Sequence, residues 1–453
     1  MSTEAAQEIF KAHKNDEPED VLFNSLYGLR TIELNRPKKL NALNGSMVRK
    51  IAPRLLEWSK SDMANIIVLK GAGDKAFCAG GDVAEIAGWN KQGEAGVKRS
   101  IHYFGLEYKL DHLIATYSKP LVAFMDGITM GGGVGLSVHA PIRIATERTV
   151  FAMPETTIGF FPDVGASFFL PRMDGEIGTY LALTSERLKG PDVLFAGIAT
   201  HYIHSTSLPA LESRLAELRF RDYDTLEERL ALISATIEEF STGIPHDHQM
   251  LLSGSKREAI DRCFRFNDMS EIVYALQNTP TNQKWAKQTL ETLQQRSPTA
   301  LHVALRQMRI GRGWSIAETF RREYQIAAKF MRGHEFNEGV TARLIEKRDP
   351  KWEPASLEDI EPEDNIAEPF FLPDPKLPAL ELLNDADYQE PAYQLGLPRE
   401  NDVKKLVLQG LYDRHEIVEK LLSETRHKQG VKEAVWEIVT RKTKDGKPAT
   451  WIE

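Results

Sequence analysis

The sequence predicts an α/β core followed by a helical region and a C-terminal helical extension. Three observations lead there. Apolar strand-like runs alternate with helically spaced segments from Val21 to about residue 206. Two of those runs end in glycine-rich exits, Gly80-Gly81 and Gly131-Gly132-Gly133, each opening a helix. From Ser207 onward the apolar residues recur at helical spacing, as in Leu211, Leu215 and Leu218, then Leu226, Leu230, Ile233 and Ile237. The chain therefore divides into an N-terminal segment (1–20), an α/β core (21–206), a helical region (207–349) and a Pro-rich linker with a helical extension (350–453).

Taken in order, Val21 to Leu34 reads as two short strands, with turn residues at Asn24-Ser25 and Tyr27-Gly28. Ser46 caps a helix to about Lys60, bent at Pro53, with Val48, Ile51, Leu55 and Leu56 on one face. Asn65 to Leu69 is a buried strand closed by Gly71-Ala72-Gly73. Phe77 to Asp82 opens a helix at Val83, and Ser100 to Thr116 has helical spacing. Pro120 to Met125 is a buried strand leading into the glycine stretch and a helix from Val134. Ile142–Ala145 and Val150–Ala152 are short strands, Glu155–Phe161 a loop or short helix, and Gly165–Leu170 the start of another. Seven prolines among many acids between residues 350 and 378 imply an extended linker or surface wrap. The later helices, Val403 to Leu422 and Val431 to Val439, carry too few apolar residues for a core of their own, so they should dock on the α/β domain or on a partner. No internal repeat is visible.

Composition narrows the function. The 453 residues are 42% hydrophobic and 27% charged, as in ordinary globular proteins. The 57 Lys and Arg against 65 Asp and Glu give a formal charge of -8, which argues against a general nucleic-acid binder. Two cysteines, Cys78 and Cys263, allow no disulfide framework or Cys-rich metal site and fit a reducing compartment. No apolar run approaches the roughly 20 residues that span a bilayer, so membrane insertion is not expected. Met1 to Asp20 is acidic and lacks arginine, so no transit peptide is visible.

The two glycine exits can aim two backbone N–H groups at one point, where a carbonyl oxygen would be polarised and its developing charge held. An acid or base is then needed nearby. Glu155 follows a strand and Pro154, and Asp163 follows Phe160-Phe161-Pro162. Carboxylates in apolar surroundings can have raised pKa values and divide acid and base duties. Taken singly, each would be a surface acid, and Glu107 a solvated helical one. Cys78 has no evident histidine partner and reads as packing.

Together, Phe77-Cys78-Ala79-Gly80-Gly81-Asp82, Gly127 to Gly135 and Met153 to Gly165 resemble the crotonase superfamily, more closely its 3-hydroxyisobutyryl-CoA hydrolase branch. The resemblance runs from about Val21 to Trp352 and includes Phe330 to Phe336 and Glu338-Gly339-Val340. It implies a crotonase-like spiral of ββα turns binding acyl-CoA, with the helical region completing the site. It implies that the Gly81 and Gly132 amides form an oxyanion hole, that Glu155 is the main catalytic carboxylate and Asp163 the second acid, and that Glu107 contacts substrate. The CoA contacts it implies are Lys38, Ala79 and Gly80; Arg36 and Lys39 are further phosphate candidates. Hydratases of the superfamily place a second glutamate where this chain has Gly135, which turns the expectation toward hydrolysis. Glu155 would activate water or attack the thioester directly; Asp163 would bind the 3-hydroxyl or assist proton transfer. No metal and no separate cofactor is expected, CoA being part of the substrate. The resemblance further implies a mitochondrial location, valine catabolism and a homo-oligomer. Hydratase or isomerase activity is one alternative. Another is a structural role in the small subunit of a mitochondrial ribosome, motivated by the unmatched tail from about Asn365.

Overall fold

Two sheets share the strands of the α/β core by turns. The computed structural model describes residues 9, 11, 13, 14 and 16–452; most of the N-terminal segment lies outside the described residues. The larger sheet runs β1 (Val21–Leu26), β2 (Leu29–Leu34), β3 (Ile66–Gly71), β5 (Leu121–Met125), β7 (Ile142–Ala145) and β10 (His201–Tyr202). The smaller runs β4 (Ala76–Cys78), β6 (Ile128–Met130), β8 (Val150–Ala152) and β9 (Leu188–Lys189). Thus β3, β5 and β7 each enter the large sheet, and their successors β4, β6 and β8 enter the small one. Pairing is parallel from β2 to β10 and from β4 to β8, and antiparallel at β1–β2 and β8–β9. This is a spiral of ββα turns. It repeats in space although the sequence does not repeat.

Helices α1 (Gly45–Ser59), α2 (Val83–Asn90), α3 (Glu94–Ala115) and α4 (Gly132–Val138) cross between the turns. Strands β3 and β5 are covered on both faces: Val68 and Val122 pack on the helices Leu208–Ala216 and Leu226–Glu238, while Ile67, Leu69, Leu121 and Ala123 pack with α1, α3 and Phe77 of β4. Asn44, rather than Ser46, caps α1 by accepting from the Met47 amide at 2.9 Å. Asn24-Ser25 lies within β1, and the turn falls at Tyr27-Gly28 alone.

The stretch after residue 350 wraps the core. The Phe370 ring packs, tilted, 4.5 Å from that of Phe330 of α5 (Ile316–Arg332). Leu380, Leu382 and Leu383 are buried, and the Ile316 amide donates to the Tyr388 carbonyl at 3.0 Å. Beyond it come α6 (Glu400–Val407), α7 (Arg414–Glu424) and α8 (Val431–Lys442). Contrary to expectation they do form a core of their own: Val403, Val407, Ile417, Val431, Val435 and Val439 are buried against one another. Each helix contributes only a few apolar positions, which is why none revealed the cluster singly. The unit docks through Glu400, whose amide donates to Asp174 of the α/β core at 3.0 Å and whose carboxylate pairs with Arg257 of the helical region at 2.9 Å and with Arg441 of the unit itself at 2.7 Å. Gln429 adds a bond to the Tyr202 carbonyl at 2.9 Å. Among the described residues no helix is long and apolar enough to cross a membrane.

Candidate active site

The site begins with two adjacent strands. Because β4 and β6 pair in parallel, their glycine exits leave the same end of the small sheet. The first exit is fixed by Leu43, whose amide donates to the Gly80 carbonyl at 2.8 Å and whose carbonyl accepts from Asp82 at 2.9 Å. Gly80 has φ +115 and Gly131 φ +46, conformations that glycine adopts without strain. A β-carbon on Gly132 would stand 3.3 Å from the Gly81 nitrogen and overlap Glu107 Oε1. The bare backbone is therefore what lets the two exits meet. Neither the Gly81 nor the Gly132 amide donates to a backbone carbonyl among the described residues. Cys78 is buried beneath them, and burial pushes its thiol up to about 12, so it packs and stays protonated.

Three carboxyls converge on this backbone. Glu155 opens a short helical turn after β8 and Pro154; its Oε1 lies 3.1 Å from where a β-carbon of Gly131 would be. Its Oε2 is buried with no hydrogen-bond partner. Glu107 projects from buried α3 toward Gly132. Asp163 sits on the loop after Pro162 and accepts from the Tyr108 hydroxyl at 2.7 Å. That loop is rigidly held. Glu323 of α5 accepts from the amides of Gly165 at 2.7 Å and Ser167 at 2.9 Å, and the Gln307 side chain donates to the Pro162 carbonyl.

An aromatic wall supplies the low dielectric. Phe160 lies 4.7 Å from Phe161, 5.2 Å from Phe104 and 5.3 Å from Phe330. Burial first, then the Asp163 charge, pushes Glu155 well above the usual carboxylate range. The same two causes raise Glu107, against a hydrogen bond from Tyr103 that favours the anion. Asp163 is pushed up to about 7 by burial, with Tyr108 opposing. Carboxyls so close and so dry cannot all ionise together. The arrangement can hold and pass protons beside a polarised carbonyl.

Other candidates fall differently. Arg36 is buried and bound inward, to the Ala42 carbonyl at 2.6 Å and to Glu17 and Asp82 at 3.2 Å each. Lys39 pairs with Asp82 at 3.0 Å. Lys38 is exposed on the same turn, and Ala79 donates to the Leu40 carbonyl at 3.0 Å, so Lys38, Ala79 and Gly80 lie along one edge of the first exit. Among the described residues no group of three or more His, Cys, Asp or Glu side chains is placed to hold a metal ion.

Sequence reasoning missed Tyr108, Asp111 and Tyr103. Tyr103, Glu107 and Asp111 recur every four residues along α3, a polar stripe on a helix otherwise packed all round. That stripe was the available signal. Asp111 has both carboxylate oxygens buried without a partner, and burial, then Glu107 and Asp163, push its pKa well up.

Residues 29–371 match the family model of enoyl-CoA hydratase/isomerase. The chain is 62% identical over 451 residues to small ribosomal subunit protein mS47 of Neurospora crassa, covering 97% of this chain and 89% of that protein. It is 46% identical over 365 residues to the mitochondrial 3-hydroxyisobutyryl-CoA hydrolase of Gallus gallus, covering 80% of this chain and 92% of the relative. Among solved structures, a carnitinyl-CoA dehydratase from Mycobacterium thermoresistibile superposes with TM-score 0.70 at 33% identity, covering 81% of this chain and 100% of that one.

Proposed function

The chain belongs to the enoyl-CoA hydratase/isomerase family, and from that premise we propose that it hydrolyses short hydroxyacyl-CoA thioesters, with 3-hydroxyisobutyryl-CoA as the substrate and the mitochondrion as its place. One observation carries this reading: Glu155 brings a buried, unpartnered carboxyl oxygen to the backbone of two convergent glycine exits, while position 135 has no side chain to supply a second acid. The thioester oxygen sits between the Gly81 and Gly132 amides. Such donors act on the charge that develops in the transition state, each worth about 3 kcal/mol. Glu155 takes a proton from water, or attacks the carbonyl to give an anhydride that water opens. Asp163, oriented by Tyr108, binds the substrate hydroxyl or returns the proton to the leaving thiolate. Glu107 lines the acyl side, and Lys38 meets the phosphates of CoA. The chemistry needs neither a metal nor a separate cofactor. The test is thiol release from a panel of short acyl-CoA substrates: activity confined to hydroxyacyl thioesters supports the reading, and inactivity on all of them removes it.

A second reading stands beside the first: the same chain is a component of the mitochondrial ribosomal small subunit. What favours it is coverage. The family model ends at residue 371, whereas the match to the Neurospora ribosomal protein spans 97% of this chain and so takes in most of the extension. An extension with its own core, docked at one edge of the α/β domain, suits a contact surface. Co-sedimentation with ribosomal small subunits tests it.

A further inference from the structure

At the far end of α4 from Gly132, a cavity of about 410 Å³ opens between the α/β core and the strap of residues 386–399 that crosses it. Its lining is mixed, with apolar side chains from the core (Val138, Phe168, Ile198), the helical region (Leu226) and the strap (Tyr388, Leu395). Its size falls among small-molecule sites. One cation on the wall is not neutralised. Arg143, on β7, donates from Nε to the Ile198 carbonyl at 2.6 Å and from Nη1 to the Ala140 carbonyl at 2.7 Å. Among the described residues no carboxylate pairs with it. Arg399 adds a second guanidinium to the lining. Burial, then Arg399, pulls Arg143 down to about 10, which leaves it charged at neutral pH.

The acids nearby are already used. Asp387 accepts from the amides of Ala317 and Tyr388 at 2.9 Å each, and Glu390 pairs with Arg172 at 3.4 Å. His139, also in the wall, is held neutral by burial, which brings it to about 4. Arg143 is half-buried, and a partly desolvated guanidinium with no counter-charge gains from an anion that completes it.

We propose that this cavity binds an amphipathic anion, a medium-chain carboxylate whose head pairs with Arg143 and whose chain lies along the apolar side chains. A guanidinium offers a planar fork suited to a carboxylate. The site is separate from the glycine exits and does not depend on the thioesterase reading.

Gly396 provides a clean probe. It lines the cavity, its φ lies outside the left-handed region, and a β-carbon there would meet nothing within 4 Å. Gly396→Trp should fill the space without moving the backbone. The experiment is isothermal titration of the full chain and of the Arg143→Gln and Gly396→Trp variants with decanoate, decanol and decyl phosphate. Decanoate should bind the parent chain, and both variants should weaken it by about tenfold or more, the scale of one lost charge pair. Decanol should bind the parent more weakly than decanoate. If Arg143→Gln fails to fold, Gly396→Trp carries the result. Decanoate binding unaltered in Gly396→Trp, or no binding to the parent, overturns the site. Decyl phosphate binding tenfold tighter than decanoate overturns the carboxylate assignment.

Discussion

Asp111 stands against Gly135: a β-carbon at position 135 would lie 2.8 Å from Oδ2 and 2.9 Å from Oδ1 of Asp111. The carboxyl of one helix thus occupies the space that a side chain of the next would need. Asp111 is itself wholly buried, and neither of its carboxyl oxygens has a hydrogen-bond partner. No exposed second acid faces Glu155 from this side. The protein should therefore release thiol from hydroxyacyl-CoA yet add no water to crotonyl-CoA, followed as loss of enoyl absorbance. Gly135→Glu should not confer hydration. Overpacking a buried acid against an acid should lower stability by at least about 1–3 kcal/mol, read by denaturant unfolding.

Asp111 also sets a pH dependence of stability. Its folded pKa is raised, so the native state binds more protons than the unfolded chain above the ordinary aspartate value. Stability from this group is present below about pH 4 and is lost as pH rises toward the folded value. Asp111→Asn cannot ionise and removes that slope. The melting temperature of the variant minus that of the parent should become more positive from pH 5 to pH 8. A constant difference would show that Asp111 carries the same charge in both states.

Tyr108→Phe tests the second acid. The hydroxyl donates to Asp163 and favours its anion, so removing it should raise the Asp163 pKa above its value of about 7. The pH–rate profile should then shift upward by about one unit, the scale of a hydrogen bond to a charged group. A lower rate with an unmoved profile would mean that Tyr108 only packs.

A chain ending at Leu397 should separate chemistry from assembly. It keeps the wrap that buries Leu380, Leu382 and Leu383 and removes α6 to α8 with their own cluster. Thioester hydrolysis should persist within about twofold, a surface-scale change, while co-sedimentation with small ribosomal subunits is lost. Loss of hydrolysis from a folded truncated chain would place the extension in the active site.

Strands β3 and β5 were legible because both faces are covered and each carries an unbroken apolar run, Ile66 to Leu69 and Leu121 to Met125. The three-residue strands β4 and β6 were not; such short segments pair only because neighbouring strands hold them, and their glycine surroundings read as loop. The proline-rich stretch was legible as a wrap, but its burial on α5 was not, since Phe370 finds Phe330 only in three dimensions. At the site, the glycine exits, Glu155 and Asp163 could be picked out from motif and spacing. Arg36 could not be told from a ligand contact, because its commitment to Glu17 and Asp82 joins distant segments. Tyr108 and Asp111 stayed hidden because a polar residue on a helix means little until that helix proves buried on every face.

The central claim rests on Glu155, and one measurement tests it most directly: steady-state thiol release from 3-hydroxyisobutyryl-CoA by the parent chain and by Glu155→Gln, with substrate affinity measured alongside. The amide keeps the shape of the side chain and removes its proton chemistry. Turnover should fall by at least about 100-fold, the lower range for a lost acid–base group, with affinity little changed. Turnover by Glu155→Gln close to that of the parent would contradict the account and take Glu155 out of the chemistry.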